Sequence, residues 1–317
     1  MKILLLGMNG RVGWELQRAL APLGQLVALD FDSPAPLGAD FTRPNILADT
    51  VRRVAPQVIV NAAAHTAVDR AESDSELPHT INAAAPAVLA REAARLGAWL
   101  LHYSTDYVFD GSGAVPWVED SPTGPLNVYG RTKLEGEQAI RASGCRHLIL
   151  RTSWVYAARG ENFAKTMLKL AMERDSLSAV DDQIGAPTGA ELLADLSAHM
   201  LRRVAHNPSL AGTYHAVATG ETNWHSYASH VIEFARAAGQ PIKVAADAIE
   251  AVSSSAFATA ATRPRNSRMS TAKLRQAFDL HLPPWQHGVE RMLRELFGAT
   301  AAPDPLAAGM QPLRPQG

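Results

Sequence analysis

Asn127-Val-Tyr-Gly-Arg-Thr-Lys133 puts a phenol and an amine four residues apart, where a helix is expected to begin. Positions i and i+4 of a helix lie on one face, one turn apart. A free tyrosine titrates near ~10 and is a poor acid–base catalyst at neutral pH. A nearby ammonium favours the phenolate and lowers that value. Tyr129 and Lys133 are therefore candidates for a proton-transfer pair. In a chain with six tyrosines, one Tyr-x-x-x-Lys is a weak signal on its own. The other elements must build a site around it.

A second polar cluster, Ser104-Thr-Asp-Tyr-Val-Phe-Asp110, follows the apolar run Trp99–Tyr103. Catalytic groups collect at the C-terminal ends of such strands. Thr105 and Asp106 are the candidates here, with turn formation as the alternative. Upstream, Lys2–Leu6 has the unbroken apolar pattern of a buried parallel strand. Gly7-Met-Asn-Gly10-Arg-Val-Gly13 follows it and opens a helical pattern over Trp14–Leu20. Strand, glycine turn and helix form the context of a dinucleotide site, with the helix N-terminus receiving the pyrophosphate. The spacing is G-x-x-G-x-x-G instead of the usual G-x-G-x-x-G.

The expected second strand, Leu26–Leu29, ends in Asp30, placed to accept from an adenosine ribose. That favours NAD, although Arg11 and Arg43 are potential partners for the 2′-phosphate of NADP. Asp40-Phe41 offers a hydrogen bond and a stacking ring for a base. The next strand runs into Ala62-Ala-Ala64, small residues that let a cofactor approach, and then His65, either catalytic or an ordinary loop residue. Trp154, after the expected strand His147–Arg151, either packs on a substrate ring or fills a core. The loop Asp181–Thr188 is a candidate substrate wall. Arg263-Pro-Arg-Asn-Ser-Arg268 is either surface charge or a phosphate clamp.

Helices are expected at Asn45–Val54 with Asn45 as N-cap, and unbroken over Asp74–Leu96. Others are expected at Val128–Ala142, Asn162–Arg174, Glu191–Val204, Asn223–Ala238 and Trp285–Phe297, with a strand at Gly212–Val217. The fold class is α/β: a Rossmann-type doubly wound parallel sheet with a smaller, partly interleaved C-terminal substrate domain. The expected boundaries are 1–156 for the cofactor domain, with segments near 212–240 returning to it, and 157–297 for the substrate domain. A disordered Ala- and Pro-rich tail is expected over 298–317. The 317 residues carry a net charge of -1, which gives no bulk attraction for nucleic acid or a membrane surface. One cysteine, Cys145, excludes an internal disulfide framework. No run is long enough for a signal peptide or a bilayer span, so a cytoplasmic location is expected.

Taken together, Gly7–Gly13, Val60-Asn-Ala-Ala-Ala-His-Thr-Ala-Val-Asp69, Tyr103–Asp110, Tyr129–Lys133, Arg151-Thr-Ser-Trp154, Gly185-Ala-Pro-Thr188 and Arg263–Arg268 resemble the extended short-chain dehydrogenase/reductases. Within them the chain looks like the dTDP-4-dehydrorhamnose reductases. The resemblance implies reduction of a dTDP-sugar C4 ketone by NADPH or NADH, the last step toward a rhamnose donor for bacterial surface polysaccharide. It implies that Tyr129 donates the proton, that Lys133 holds the nicotinamide ribose and lowers the tyrosine pKa, and that Thr105 tunes Tyr129. It carries cofactor contacts onto Gly7, Gly10, Arg11, Val12, Gly13, Asp30, Asp40, Phe41, Ala63, Ala64, His65, Tyr103, Tyr129 and Lys133. Sugar contacts fall on Thr105, Asp106 and Trp154. Arg263, Asn266 and Arg268 reach the diphosphate. Some members form magnesium-bridged homodimers, and the matching positions are Glu15, Glu191 and Glu295. An epimerase or 4,6-dehydratase on the same scaffold is the alternative; against the dehydratase, Tyr107, not an acid, follows Asp106. A purely regulatory subunit would have no use for Thr105, Tyr129 and Lys133.

Overall fold

Strands made almost wholly of Leu, Ile and Val are stable only when both sheet faces are covered, which is the setting of a parallel sheet. The computed structural model describes residues 1–298; the tail expected from 298 lies, from 299 on, outside them. The elements begin with β1 (Lys2–Leu6), α1 (Arg11–Leu20), β2 (Gln25–Leu29), α2 (Pro44–Val54), β3 (Val58–Asn61), α3 (Val68–Ser73), α4 (Glu76–His79), α5 (Ala85–Leu96) and β4 (Trp99–Thr105). They continue with α6 (Val128–Ala142), β5 (Arg146–Thr152), β6 (Val155–Tyr156), α7 (Phe163–Glu173), β7 (Leu177–Val180), β8 (Ile184–Gly185) and β9 (Thr188–Gly189). Last come α8 (Ala190–His206), β10 (Gly212–His215), β11 (Thr222–Asn223), α9 (Trp224–Ala237), β12 (Ile249–Val252), α10 (Ala272–Phe278) and α11 (Trp285–Phe297).

The large sheet has the order β10-β5-β4-β3-β1-β2, with every pair parallel. The chain leaves β1 in one direction to β2 and returns to its other side as β3. That reversal is the switch point where open α/β sheets bind ligands. Helices α1, α8 and α10 cover one face, and α2, α5 and α6 the other. A smaller unit packs α7, α9 and α11 around Tyr227 and Trp285, with β7 and β12 paired at its side.

The boundary expected at residue 156 is crossed repeatedly. Helices α8 and α10 pack on the large sheet and β10 extends it, because Leu193, Met200, Leu274 and Phe278 share one core with Ile3 and Leu148. Helix α9, expected near the returning segment, packs instead on α7 and α11. The helix expected over Asp74–Leu96 is broken. Residues Thr80–Ala84 form a π turn between α4 and α5. Pro86 has no N–H for the Asn82 carbonyl four residues back, so the ladder widens there. Arg43, not Asn45, caps α2, and Pro44 takes the first helical position, where a missing N–H costs nothing.

Candidate active site

The glycine turn packs as tightly as a pyrophosphate cradle requires. A Cβ on Gly7 would lie 2.7 Å from the Ala63 nitrogen, and one on Gly13 would collide with the Gly7 carbonyl. Gly7 holds a φ of 86°, in the left-handed region. Across the switch point lies a cavity of about 400 Å³, lined by Gly7, Gly10, Asp30, Asp40, Phe41, Ala63 and Ala64. Phe31 also lines it and is 73% exposed, a second ring that the strand–loop reading passed over. The Asp30 carboxylate accepts from the Asn9 and Phe31 backbone at 2.8 Å, which aims it at the cavity. These residues fit an adenine dinucleotide. Val12 packs into the core beneath the turn.

Arg11 has a different role from the one the motif suggests. Its guanidinium donates to the carbonyls of Val155 at 2.9 Å and Glu161 at 3.2 Å, tying α1 to the segment after β5. Burial lowers its pKa, and the Tyr129 phenol opposes that shift. Those two carbonyls take up the Arg11 guanidinium, while Arg43 is exposed. Tyr103 also departs from expectation. Alternation along β4 turns its ring toward α8, where its hydroxyl meets Ser197 at 2.5 Å. What it offers the site is its carbonyl, 2.6 Å from Lys133 Nζ. His65 is held by paired bonds between its backbone and the Asn82 amide, at 2.9 and 3.0 Å, and takes no place on the cofactor cavity wall.

Helix α6 starts at Asn127, whose side chain accepts from the Gly130 N–H at 2.8 Å. That cap places Tyr129 in the first turn and buries Lys133 against β4. Thr105 Oγ1 donates to Asp106 Oδ1 at 3.0 Å and accepts from the Tyr107 N–H at 3.2 Å. Its hydroxyl lies near enough to Tyr129 to lower the phenol's pKa. Burial pushes Tyr129 up to about 12, while Thr105 and Arg11 pull it down. The expectation that Lys133 depresses the phenol is not met. The amine is turned into β4, and burial outweighs the cation that does act, Arg11. Burial likewise brings Lys133 down to about 8 against the pull of Glu137. Asp106 is 2% exposed, with Oδ2 unpartnered among the described residues, and burial raises it to about 6.

A second cavity of about 880 Å³ opens between α7, β7, the start of α9 and the segment Ser254–Arg265. Phe163, Gln183 and Trp224 line it, with Arg174, Arg263 and Arg265. Arg263 joins the two regions: it pairs with Asp69 at 2.6 Å and its charge acts on Tyr107, whose ring meets Tyr129 edge-on at 5.6 Å. Asn266 and Arg268 are not on this wall. Asn266 is 1% exposed and donates to the carbonyls of Ser112 and Val115, while Arg268 pairs with Glu221 at 2.6 Å. Trp154 lies behind the wall, stacked on Trp224 at 3.7 Å. Its φ of 49° is strained for a bulky residue, by about 1–3 kcal/mol. Of the loop proposed as a wall, Gln183 alone lines the cavity; Asp182 holds the Ser254 N–H at 2.9 Å. Motif reading missed Phe163, Arg174 and Trp224, which carry no local signature; Arg265 belongs to the basic run it singled out.

Glu15, Glu191 and Glu295 line one small cavity. Burial raises the Glu191 pKa, with Arg291 opposing and Glu15, Asp195 and Glu295 adding to it. Arg291 holds Glu191 at 3.2 Å, and among the described residues no group of three acidic, His or Cys side chains is close enough to hold a metal. A single chain therefore does not present the expected magnesium site. No helix among the described residues is long and apolar enough to cross a membrane.

Known proteins place this geometry. The RmlD substrate binding domain model matches residues 1–297. The chain is 56% identical to a dTDP-4-dehydrorhamnose reductase of Shigella flexneri, over 95% of this chain and all of that one. A dTDP-4-dehydrorhamnose reductase of Clostridium acetobutylicum superposes with a TM-score of 0.83 at 32% identity, covering 93% of this chain and 99% of the other. One of Bacillus anthracis, solved in complex with NADP, gives 0.82 at 34% with the same coverage. With a family match over residues 1–297, a glycine cradle at the switch point and Thr105, Tyr129 and Lys133 on β4 and α6, the chain belongs to the dTDP-4-dehydrorhamnose reductase family.

Proposed function

We propose that the protein reduces the C4 ketone of dTDP-4-dehydro-β-L-rhamnose to dTDP-β-L-rhamnose, with NADPH or NADH as the reductant. The observation that carries this reading is the hydrogen-bonded Thr105–Asp106 pair acting on the Tyr129 phenol, in a fold that also holds a dinucleotide cavity and a second, arginine-rimmed one. The nicotinamide supplies the hydride when bound. Tyr129 stays protonated at neutral pH, as a proton donor to a developing alkoxide must. In the resting site Thr105 gives its single proton to Asp106, and its lowering of the Tyr129 pKa is the effect of that proton turning to the phenolate. When Asp106 is protonated the pattern can reverse, and Thr105 then donates to the phenolate left after transfer. Lys133 holds the nicotinamide ribose.

The sugar nucleotide occupies the larger cavity, its base among Phe163 and Trp224 and its diphosphate near Arg174, Arg263 and Arg265. The product serves as a rhamnose donor for surface polysaccharide such as O antigen, made in the cytoplasm. The test is direct: dTDP-4-dehydro-β-L-rhamnose is supplied with NADPH or NADH, and absorbance at the nicotinamide band is followed. Oxidation of neither cofactor sinks the reading. An epimerase or dehydratase on this scaffold would likewise leave the net absorbance unchanged. Glu15, Glu191 and Glu295 on two chains supply enough carboxylates for a magnesium-bridged homodimer. A dimer fraction that survives chelator in a sedimentation experiment counts against it.

A further inference from the structure

Behind Lys133 lies a polar pair that the reaction as described does not use. His102 on β4 is 1% exposed. Its Nε2 is 3.3 Å from Lys133 Nζ, and its Nδ1 is 2.9 Å from Asn61 Nδ2. Asn61, equally buried at the end of β3, accepts through Oδ1 from the Ala63 backbone N–H at 3.1 Å. That backbone group is a donor and cannot change role. Asn61 must therefore turn its oxygen to Ala63 and its amide N–H to His102. Nδ1 of His102 is then an acceptor, and a neutral imidazole carries its one proton on Nε2. Burial and the Lys133 charge keep the ring neutral. Nε2–H consequently points at the lysine amine. An ammonium has three donors and no lone pair, whereas a neutral amine can accept this bond.

We propose that His102 is a positioning residue that sets the proton balance of Lys133, with Asn61 locking the tautomer. The inference rests on Lys133 being the amine that serves the cofactor and Tyr129. Other groups act on the same amine. On α6, Glu137 lies one turn onward and favours the ammonium. Glu137 is itself bound by Arg151 of β5 at 2.7 Å and by Arg141 at 2.9 Å. From β4 the Tyr103 carbonyl accepts from Nζ. Tyr129 is one turn back, with Arg11 of α1 and Asp106 acting on it. His102 opposes Glu137, so the amine can release and regain a proton at working pH while it stays fixed in place.

Protein labelled with ¹⁵N-histidine reads the tautomer directly, the His102 signals being assigned by their loss in His102→Gln. A neutral Nε2–H ring across about pH 6 to 9 is expected. An Nδ1–H tautomer or an imidazolium in that range overturns the proposal. In the pH profile of kcat/KM, activity should fall as Lys133 deprotonates. In His102→Gln the carboxamide oxygen can accept from the ammonium, and the falling limb should move up by about one pH unit. His102→Phe, which offers no donor, should move it the same way. A limb that stays in place in both variants while only Tm falls shows a packing role and overturns the proposal. Undiminished turnover in Lys133→Met would instead remove the lysine from the reaction, a failure of the site reading that leaves the tautomer result untouched.

Discussion

At the Tyr129 hydroxyl, burial and hydrogen bonding act in opposite directions, and burial wins. The phenol is thereby kept as a donor, which suits reduction. Tyr129→Phe should lower kcat by about 10²–10⁴-fold, the usual range for a general acid, with cofactor affinity unchanged by calorimetric titration. Asp106 makes a separate prediction about stability. Its folded pKa, about 6, lies above the ordinary side-chain value of 3.8. Between those values the folded chain binds the proton and the unfolded chain does not. Stability from this group is therefore full below about 3.8 and is lost as pH rises through about 6. Asp106→Asn should recover up to about 3 kcal/mol at neutral pH and nothing near pH 3.5, read as Tm against pH. Spacing marked Tyr129 and Lys133 only as a weak candidate pair, which the glycine turn and the Thr105–Asp106 cluster singled out. The turning of the lysine into β4 was not legible, because spacing along a helix says nothing about which carbonyl of a neighbouring strand will accept the amine.

The elements that hold these residues depend on one close approach. The Asn82 carbonyl, freed by Pro86, meets α6 at Gly136, where a Cβ would overlap it. The Asn82 side chain meanwhile reaches His65 and Thr132, joining the β3 loop to the catalytic helix. Gly136→Ala should push α6 away from the π turn. A loss of about 1–3 kcal/mol in stability is expected from overpacking. It should come with reduced kcat, because Tyr129 and Lys133 ride on the displaced helix; thermal melts and turnover of the same preparation test both. Helices α6 and α11 were readable to the residue, α6 from its Asn127 cap and α11 from its apolar period after Pro284. The Ala-rich stretch 74–96 was not, because its period continues through Pro86 while the hydrogen-bond register slips.

Across the whole molecule, the two cavities belong to units that share chain. Helix α8, β10 and α10 return to the large sheet after α7 and β7 have left it. The dinucleotide half was legible because its signals are local: strand, glycine turn, helix and carboxylate within the first 30 residues. The second cavity is assembled from α7, β7, α9 and the 254–265 segment, and no short window contains it. That is why the basic run Arg263–Arg268 read as one phosphate clamp. The fold divides it. Arg268 is spent on Glu221 and Asn266, while Arg265 stands at the rim with Asp182 only within 3.7 Å, and Arg174 reaches the same rim from the end of α7. The division can be measured. A charged hydrogen bond to a phosphate is worth about 1.5–3 kcal/mol, so Arg174→Gln or Arg265→Gln should raise the KM for the dTDP-sugar about tenfold. KM for NADPH should stay as it was, and the salt dependence of sugar-nucleotide binding should flatten, because one screened attraction is gone. Arg268→Gln should leave the sugar-nucleotide KM within about twofold and lower Tm instead, since its partner Glu221 lies off the cavity wall. If Arg268→Gln raised that KM while Arg174→Gln and Arg265→Gln did not, the diphosphate would lie along the basic run, and the larger cavity would not be its seat.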